Sequence, residues 1–208
     1  MKTSLQPRKR PHQARAVATV EAILEAASQV LVARGHAGMT TTRVAEAAGV
    51  SVGSLYQYYP SKDALLVALL DRKLTATMAA IHAAVDRTHA HPIADRIRAI
   101  IEALFAVKSA DPALTIALAD CPPHLGGKQL LHGQLRPIAT LLRKLLHEHR
   151  GEVSVVDPDV TAWVMLHSVN GIVDAATLEP ARLRSRATRE AAVHLVCAYL
   201  GVSSEVSS

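Results

Sequence analysis

Two short helices joined by a tight turn are predicted between residues 40 and 66, and a longer helix begins within the same stretch. Thr40 is placed to cap the first short helix, because a threonine hydroxyl there accepts a hydrogen bond from an otherwise unpaired backbone N–H. Val44 and Ala48 lie one helical turn apart, and Gly49 ends the helix because glycine adopts the left-handed conformation without strain. This spacing predicts a helix-turn-helix unit.

The second short helix, residues 52–58, exposes hydroxyl, phenol and amide groups instead of the usual lysine and glutamate. Ser51 is expected to cap it, and only Leu55 and Tyr59 are expected to be buried. The outward-facing residues are Ser54, Tyr56, Gln57 and Tyr58. Such groups suit hydrogen bonds to base edges and phosphates. The spacing alone leaves an alternative open, namely a helical hairpin whose polar face meets only water.

The string AGVSVGSLYQYYPSKDALL, residues 48–66, resembles the DNA-binding signature of the tetracycline-repressor (TetR) family of bacterial transcription regulators. The shared features are alanine, glycine and valine at the turn, a short polar stretch, leucine followed by tyrosine, an aromatic pair, and a lysine that opens the next helix. The resemblance covers about the first third of the chain. The remainder matches only as a series of helices, which is typical of a family with divergent C-terminal domains.

The resemblance implies which residues meet DNA. They are Thr40, Thr42, Arg43, Ser51, Val52, Gly53, Ser54, Tyr56, Gln57, Tyr58 and Lys62. Those at the start of the first short helix are expected beside a phosphate. The two tyrosines and the lysine are expected to hold the DNA backbone, and residues 52–54 with Gln57 to meet base edges. Thr42 and Val52 depart from residues common in the family, so the operator sequence cannot be predicted.

Composition favours an all-α fold, and the helical segments predicted along the chain number nine, the count usual in the family that it resembles. Half of the 208 residues are hydrophobic and only 3% are aromatic, and no long stretch alternates apolar and polar residues. Four segments are predicted: a disordered basic arm at 1–14 that lies along DNA or simply frays, a helix-turn-helix domain at 15–61, a ligand-binding and dimerisation domain at 62–201, and a disordered tail at 202–208.

Positive charge is concentrated at the N-terminal end. Residues 1–62 hold eight lysines and arginines against three glutamates, an excess of five, which equals the net charge of +5 for the whole chain. Phosphate neutralisation supplies most non-specific affinity for DNA, so this asymmetry indicates a polyanionic partner. A basic surface that only keeps the chain soluble is the alternative.

The last two long helices predict a dimer interface. One face of the helix after Asp157 is apolar throughout, and a second, smaller apolar face contains Val160, Val164, Gly171 and Ala175. A helix that is apolar on two sides is buried between two neighbours, and one of them is expected to be a second copy of the chain. Val193, Val196 and Leu200 of the final helix are expected to join this interface. Burial of both faces within one subunit is the alternative.

The resemblance also implies an effector pocket among the middle helices. The sequence offers candidate lining residues but no motif that identifies the pocket. The apolar candidates are Met78, Phe105, Leu118, Leu135 and Trp163, and the polar candidates are Cys121, His124, His167 and Asn170. Each residue could equally belong to the core or the surface. The expected effector is a small, mostly neutral hydrophobic molecule, because ligand pockets are mainly apolar with a few polar anchors.

Metal and cofactor chemistry are not indicated. Cys121 and Cys197 are the only cysteines and are expected to stay reduced, and the histidine pairs two residues apart would lie on different faces of a helix. We expect no metal site, no cofactor and no redox sensing through Cys121. No nucleophile elbow, phosphate loop or zinc-protease motif is found, so an enzyme is not expected.

A ligand-responsive transcription regulator is therefore predicted. The expected partners are a palindromic double-stranded operator, a second copy of the chain and a small effector, with release from DNA when the effector binds. No signal peptide or membrane span is expected, which favours the cytoplasm. The alternatives are a TetR-like activator and a helical protein-interaction module without specific DNA binding.

Overall fold

The computed structural model describes residues 14–120, 127–154 and 157–203, and within these ranges the secondary structure consists of ten α-helices without a strand. The helices are α1 Ala14–Gly38, α2 Thr41–Ala47, α3 Val52–Tyr58, α4 Lys62–Arg87, α5 Ile93–Ala110, α6 Pro112–Ala119, α7 Gly127–Glu148, α8 Pro158–Thr177, α9 Pro180–Arg184 and α10 Arg186–Leu200. The all-α prediction is confirmed. Cys121 and His124 lie outside the described residues.

The described part of the chain has one helix more than predicted, because the expected final helix begins with a separate short one. Proline at the first position starts α9, and the extended backbone of Ser185 interrupts the helical path. The Ser185 hydroxyl then accepts a hydrogen bond from the backbone N–H of Thr188 at 3.3 Å and caps α10. A serine that caps a new helix competes with continuation of the old one.

The chain divides into two compact units, residues 1–74 with 113–130 and residues 75–112 with 131–208. The core of the first unit combines α1, α2 and α3 with the first part of α4. Leu114 and Leu118 of α6 also pack in this core, which is why a helix distant in sequence belongs to the first unit. The sequence predicted a domain boundary after residue 61, and this boundary stays a prediction. Helix α4 begins there and continues unbroken past residue 74.

Packing of α5 against α8 and α10 forms the core of the second unit. One face of α5 is buried along its length, where Ile93, Ile97, Ile101 and Phe105 follow each other every four residues. Leu142, Leu145 and Leu146 of α7 and the buried face of α10 complete this core. Removal of these side chains from water is its main source of stability.

Helix α1 is long and apolar enough, by length and composition, to cross a membrane. Its apolar face instead lies inside the first unit, where Ile23, Leu24, Ala27 and Leu31 are buried. The core helix of a soluble domain passes the same test, so this feature is explained by packing.

Candidate nucleic-acid interface

Capping side chains fix both short helices of the first unit. The Thr40 hydroxyl accepts a hydrogen bond from the backbone N–H of Arg43 at 3.2 Å, and the Ser51 hydroxyl accepts one from Ser54 at 3.0 Å. Between the helices, Gly49 has a φ of +66°, in the left-handed region that glycine adopts without strain. Both predicted caps and the glycine turn are confirmed.

Two apolar anchors hold α3 in the first unit. Leu55 is 0% exposed and Tyr59, which follows the helix, is 3% exposed. Burial raises the pKa of Tyr59 to about 12, with a further contribution from nearby Glu21 and an opposing one from Arg72. Tyr59 therefore remains a neutral residue, buried as the sequence predicted. Val52 and Tyr58 pack partly against the same core, and Tyr56 and Gln57 are exposed.

None of the eleven predicted DNA-binding residues is buried. Thr40, Thr42, Arg43, Ser51, Gly53, Tyr56 and Gln57 are exposed, and Val52, Ser54, Tyr58 and Lys62 are half-buried. They lie on α2, on α3, at the two caps and at the first residue of α4, and no carboxylate is among them. The result is one polar surface of hydroxyl, phenol, amide and cationic groups, which can donate hydrogen bonds to phosphates and base edges.

A contact between the two short helices was missed by sequence reasoning. The Tyr56 phenol oxygen lies 3.1 Å from the Thr41 hydroxyl, within hydrogen-bonding distance. Because the two residues are fifteen positions apart and belong to different helices, no periodic pattern connects them. Thr41 therefore orients Tyr56, one of the residues that the sequence predicted to meet DNA.

The two cations of the surface are both attached to the end of α1. Arg43 Nη1 donates to the backbone carbonyl of Gly38 at 2.7 Å, and Lys62 Nζ donates to the carbonyl of His36 at 3.1 Å. The Arg43 residue is nevertheless exposed, whereas the Lys62 bond is half-buried. Their predicted contacts with phosphates stay predictions.

The residues predicted to contact an effector are dispersed in the structure. Phe105 is fully buried in the second core, and Leu118 belongs to the first core. Trp163 is 61% exposed and packs on His167 with ring centroids 4.5 Å apart. Met78 and Leu135 are half-buried, and the amide of Asn170 donates to Asp174 at 2.9 Å. The exposed position of Trp163 does not fit the wall of a pocket.

Two clefts in the second unit share Leu141 and Lys144 of α7. One has a volume of about 480 Å³ and is lined by Val85, Asp86, His89, Arg96, Leu141, Lys144, Leu145, Glu148 and His149. The other has a volume of about 590 Å³ and is lined by His82, Arg136, Pro137, Thr140, Leu141 and Lys144. Neither lining includes a residue that the sequence assigned to the effector.

A buried arginine stands beside the first cleft. Arg96 is 5% exposed, and its Nη1 donates to Glu148 at 3.3 Å and to Nε2 of His149 at 2.9 Å. Nδ1 of His149 lies 2.6 Å from Glu152, whose other oxygen accepts the backbone N–H of Ile93 at 3.1 Å. The bond to His149 and the bond from Ile93 hold the pKa of Glu152 below its ordinary value. Sequence spacing gave no signal for this network.

The second unit exposes large apolar side chains on α8 and α10. They are Val160 and Trp163 on α8, Leu178 at its C-cap, and Leu195 and Tyr199 on α10, each between 45% and 69% exposed. Gly171 and Ala175 are exposed on α8 as well, and Val164 is half-buried. The α8 positions Val160, Val164, Gly171 and Ala175 are four or seven residues apart and form one stripe along α8.

The interface prediction for α10 is wrong. Val193, Val196 and Leu200 are at most 2% exposed and pack in the core of their own subunit. The prediction named these three apolar positions and did not consider the other apolar residues of α10. Leu195 and Tyr199, four residues apart on the opposite face, are the exposed apolar pair.

Grouped metal ligands are absent from the part of the chain that the structure describes, where no three histidine, cysteine, aspartate or glutamate side chains come together. Cys197 is buried, and its burial raises the pKa of the thiol. This keeps Cys197 in the unreactive thiol form.

A capped helix-turn-helix with an open polar face, carried by an all-helical chain, defines a DNA-binding protein of the helix-turn-helix class. Comparison with known families agrees. The family of tetR bacterial regulatory proteins matches residues 23–69, and the tetracyclin repressor-like C-terminal domain matches residues 92–200. The chain belongs to the TetR family, whose members are DNA-binding regulators and not enzymes.

Three similar proteins illustrate the range of the family. The nucleoid occlusion factor SlmA of Vibrio atlanticus is 28% identical over 158 residues, which cover 73% of this chain and 80% of SlmA. The regulator FadR of Bacillus subtilis in complex with stearoyl-CoA has a TM-score of 0.72 at 18% identity, covering 90% of this chain and 100% of FadR. A complex of SmeT, from Stenotrophomonas maltophilia, with triclosan has a TM-score of 0.71 at 21% identity, covering 88% and 91%. The two structural similarities describe the fold alone.

Proposed function

We propose that this chain is a ligand-responsive transcriptional repressor that binds a palindromic operator as a homodimer and leaves it when a small hydrophobic effector binds. The observation that carries this proposal is the polar face of α3, which presents Tyr56 and Gln57 to solvent from a helix anchored by Leu55. A two-turn helix with a single buried residue is marginal by itself. Packing against the other helices of the first unit fixes the position of α3, as is needed for a helix that presents side chains to a DNA groove.

Base reading is assigned to the exposed side chains of α3. Gln57 can pair with an adenine edge through the oxygen and the nitrogen of its side-chain amide, and Val52 can contact a thymine methyl group. Phosphate contacts are assigned to the hydroxyls and amides at the start of α2 and to the tyrosines of α3. The excess positive charge of residues 1–62 supports non-specific attraction to the same duplex.

Homodimerisation is supported by the exposed apolar stripe of α8 and its neighbour α10. Single exposed apolar residues are common on monomers, but a continuous set at helical spacing favours a partner. Gly171 permits close approach of a second helix because it has no side chain, and the space beside it is open in the single chain, where an added Cβ meets no atom within 4 Å. Two copies joined through α8 and α10 form a four-helix interface, and a two-fold operator has half-sites about 34 Å apart or a small multiple of that.

The effector class is proposed from the family and from the fold neighbours. Triclosan and the acyl chain of stearoyl-CoA are apolar ligands named for two of the similar structures. If the protein is a repressor, the effector must bind the DNA-free form of the dimer more tightly than the DNA-bound form. Only such a difference in affinity shifts the equilibrium between the two forms. The protein is proposed to act in the cytoplasm, where its operator lies.

Capture of genomic fragments by the purified protein, followed by sequencing, tests the DNA-binding proposal. Enrichment of a sequence with two inverted half-sites is the expected result, and the neighbouring genes then indicate the effector class. Fluorescence anisotropy with the enriched duplex at ~0.1 M salt gives the affinity. Equal affinity for the enriched duplex and a scrambled one favours the helical interaction module instead.

The similarity to SlmA, whose name describes a nucleoid occlusion factor, supports nucleoid occlusion as an alternative to repression. Recovery of many dispersed binding sites without nearby promoters supports that alternative. A single site upstream of a regulated promoter supports transcriptional control. Transcription in vitro from that promoter distinguishes repression from activation by its sign.

A further inference from the structure

The cleft of about 480 Å³ in the second unit has the size of a small-molecule site, since such sites occupy roughly 300–1,000 Å³. Every residue of its lining belongs to the second unit. The lining comes from α4 and the turn after it, from α5, and from α7 and the residue after it. Val85, Leu141 and Leu145 are its apolar residues, and the others are polar. An apolar wall combined with a few polar groups suits a small ligand.

Arg96 is the buried donor of this cleft. It is 5% exposed, and its bonds to Glu148 and to Nε2 of His149 both leave from Nη1. Nε is buried and makes no hydrogen bond within the part of the chain that the structure describes. A guanidinium is a planar fork in which Nε–H and one N–H of Nη2 point the same way. One edge of Arg96 can therefore still donate to an oxygen, and a buried donor without an acceptor is costly.

The positive charge of Arg96 is already compensated. Glu148 lies 3.3 Å from its Nη1 and 3.7 Å from Nζ of Lys144. Because an arginine only donates, His149 accepts at Nε2, carries its hydrogen on Nδ1 and is neutral. Apart from the histidines, the lining holds two acids, Asp86 and Glu148, and two bases, Arg96 and Lys144. The cleft therefore offers a hydrogen-bond donor but no net positive charge.

We propose that this cleft binds a neutral small molecule through a carbonyl oxygen, which accepts from the Nε–Nη2 edge of Arg96 while the apolar part contacts Val85 and Leu141. The inference deepens the proposed function, since it gives the effector a site and a polar group, and it rests on that function. A carboxylate of the same size brings a second anion beside Glu148, which the compensated Arg96 does not offset. A hydrocarbon leaves the Nε–H without an acceptor.

Three probes of nearly equal size separate the carbonyl group from charge and apolar area. They are acetophenone, benzoate and ethylbenzene. Each is titrated into protein that contains isotope-labelled arginine, and NMR follows the arginine Nε–H signals, with that of Arg96 assigned from its absence in Arg96→Lys. Acetophenone is expected to move the Arg96 signal and to saturate in the millimolar range, as a fragment of this size does. It is expected to bind about tenfold more tightly than either other probe.

Three variants complete the design, with binding followed from the proton signals of the probe. Arg96→Lys keeps a charge beside Glu148 but removes the planar fork, and it is expected to weaken acetophenone binding about tenfold. Arg98→Lys is the matched control on the same helix, where the arginine is bonded to Glu190 of α10, and binding is expected to stay unchanged. Leu141→Phe narrows the cleft, leaves Arg96 in place and is expected to weaken binding. Circular dichroism shows which variants are folded.

An Arg96 Nε–H signal that millimolar acetophenone does not move overturns the proposal. Equal binding of acetophenone to the original protein and to folded Arg96→Lys also overturns it, and unchanged binding to Leu141→Phe does so if Arg96→Lys does not fold. Tighter binding of benzoate overturns it as well, because the site then takes an anion. The titrations contain no DNA, so failure to bind at Arg96 rejects this inference alone. Failure to prefer any duplex, measured separately, rejects the proposed function.

Discussion

The phenol oxygen of Tyr56 and the hydroxyl of Thr41 lie 3.1 Å apart and join the two helices of the helix-turn-helix. Tyr56 is 41% exposed, so its ring remains available to a second molecule while its hydroxyl is held by α2. A side chain held in this way loses less conformational freedom on binding than one that moves freely. The pair therefore links the relative position of α2 and α3 to the orientation of the exposed Tyr56 ring.

The first prediction concerns this pair. Tyr56→Phe and Thr41→Val each remove one hydroxyl and are expected to weaken operator binding by about two- to tenfold, as for an exposed hydrogen bond. The double variant is expected to bind no more weakly than Tyr56→Phe alone, because Thr41→Val removes a contact that Tyr56→Phe has already removed. Anisotropy titrations of all four proteins measure the effect, and simple additivity of the two losses would contradict the assigned coupling.

Dimerisation provides the second prediction. Trp163→Glu and Leu195→Glu place a charge on the exposed stripe of α8 and α10, where it must be desolvated on association. Both are expected to shift the protein from dimer to monomer at micromolar concentration and to weaken operator binding. Light scattering coupled to size exclusion measures the mass. Val17→Glu on α1, where the valine is also exposed, is the matched control and is expected to stay dimeric.

The third prediction separates stability from recognition on α3. Leu55→Ala is expected to destabilise the first unit by about 2–5 kcal/mol, because it removes a fully buried side chain. Gln57→Ala, at an exposed position two residues later, is expected to change stability by less than about 0.5 kcal/mol while it weakens operator binding. Urea unfolding followed by circular dichroism measures the first effect. Equal destabilisation by both substitutions would show that α3 is packed differently.

Glu152 gives a prediction for pH. Its pKa lies below the ordinary value of 4.5 in the folded protein, first because of the bond to His149 and second because of the bond from Ile93. A depressed folded-state pKa stabilises the protein above the unfolded value, and the stabilisation is lost as the pH falls through the folded pKa. Glu152→Gln is therefore expected to lower the Tm at pH 6, with a difference that shrinks below pH ~4.5.

Thermal unfolding of both proteins across this pH range measures the difference. Glu46→Gln, at an exposed position on α2, serves as the control for a general effect of charge removal. A Tm difference that stays constant from pH 6 to pH 3 would mean that Glu152 stabilises the protein by its shape and not by its charge.

Local features of the first unit were predictable from sequence because they depend on neighbours in the chain. The caps at Thr40 and Ser51 and the glycine at position 49 each act within four residues, so their spacing contains the necessary information. Helical periodicity likewise predicted the burial of Leu55 and Tyr59. The additional short helix α9 was missed because a proline start and a serine cap are weak signals by themselves.

The sequence by itself determined an all-helical chain and its family, since these follow from helical period, capping and a short contiguous motif. The residues that it assigned to a DNA-reading surface stay a prediction. Only the tertiary structure decided which apolar face of α10 is buried. Val193 and Leu195 are both aliphatic, but Val193 is buried in the core and Leu195 is exposed. It also decided that Lys62 reaches the carbonyl of His36 and that Thr41 meets Tyr56. Such contacts join residues far apart in the chain, where no spacing rule applies.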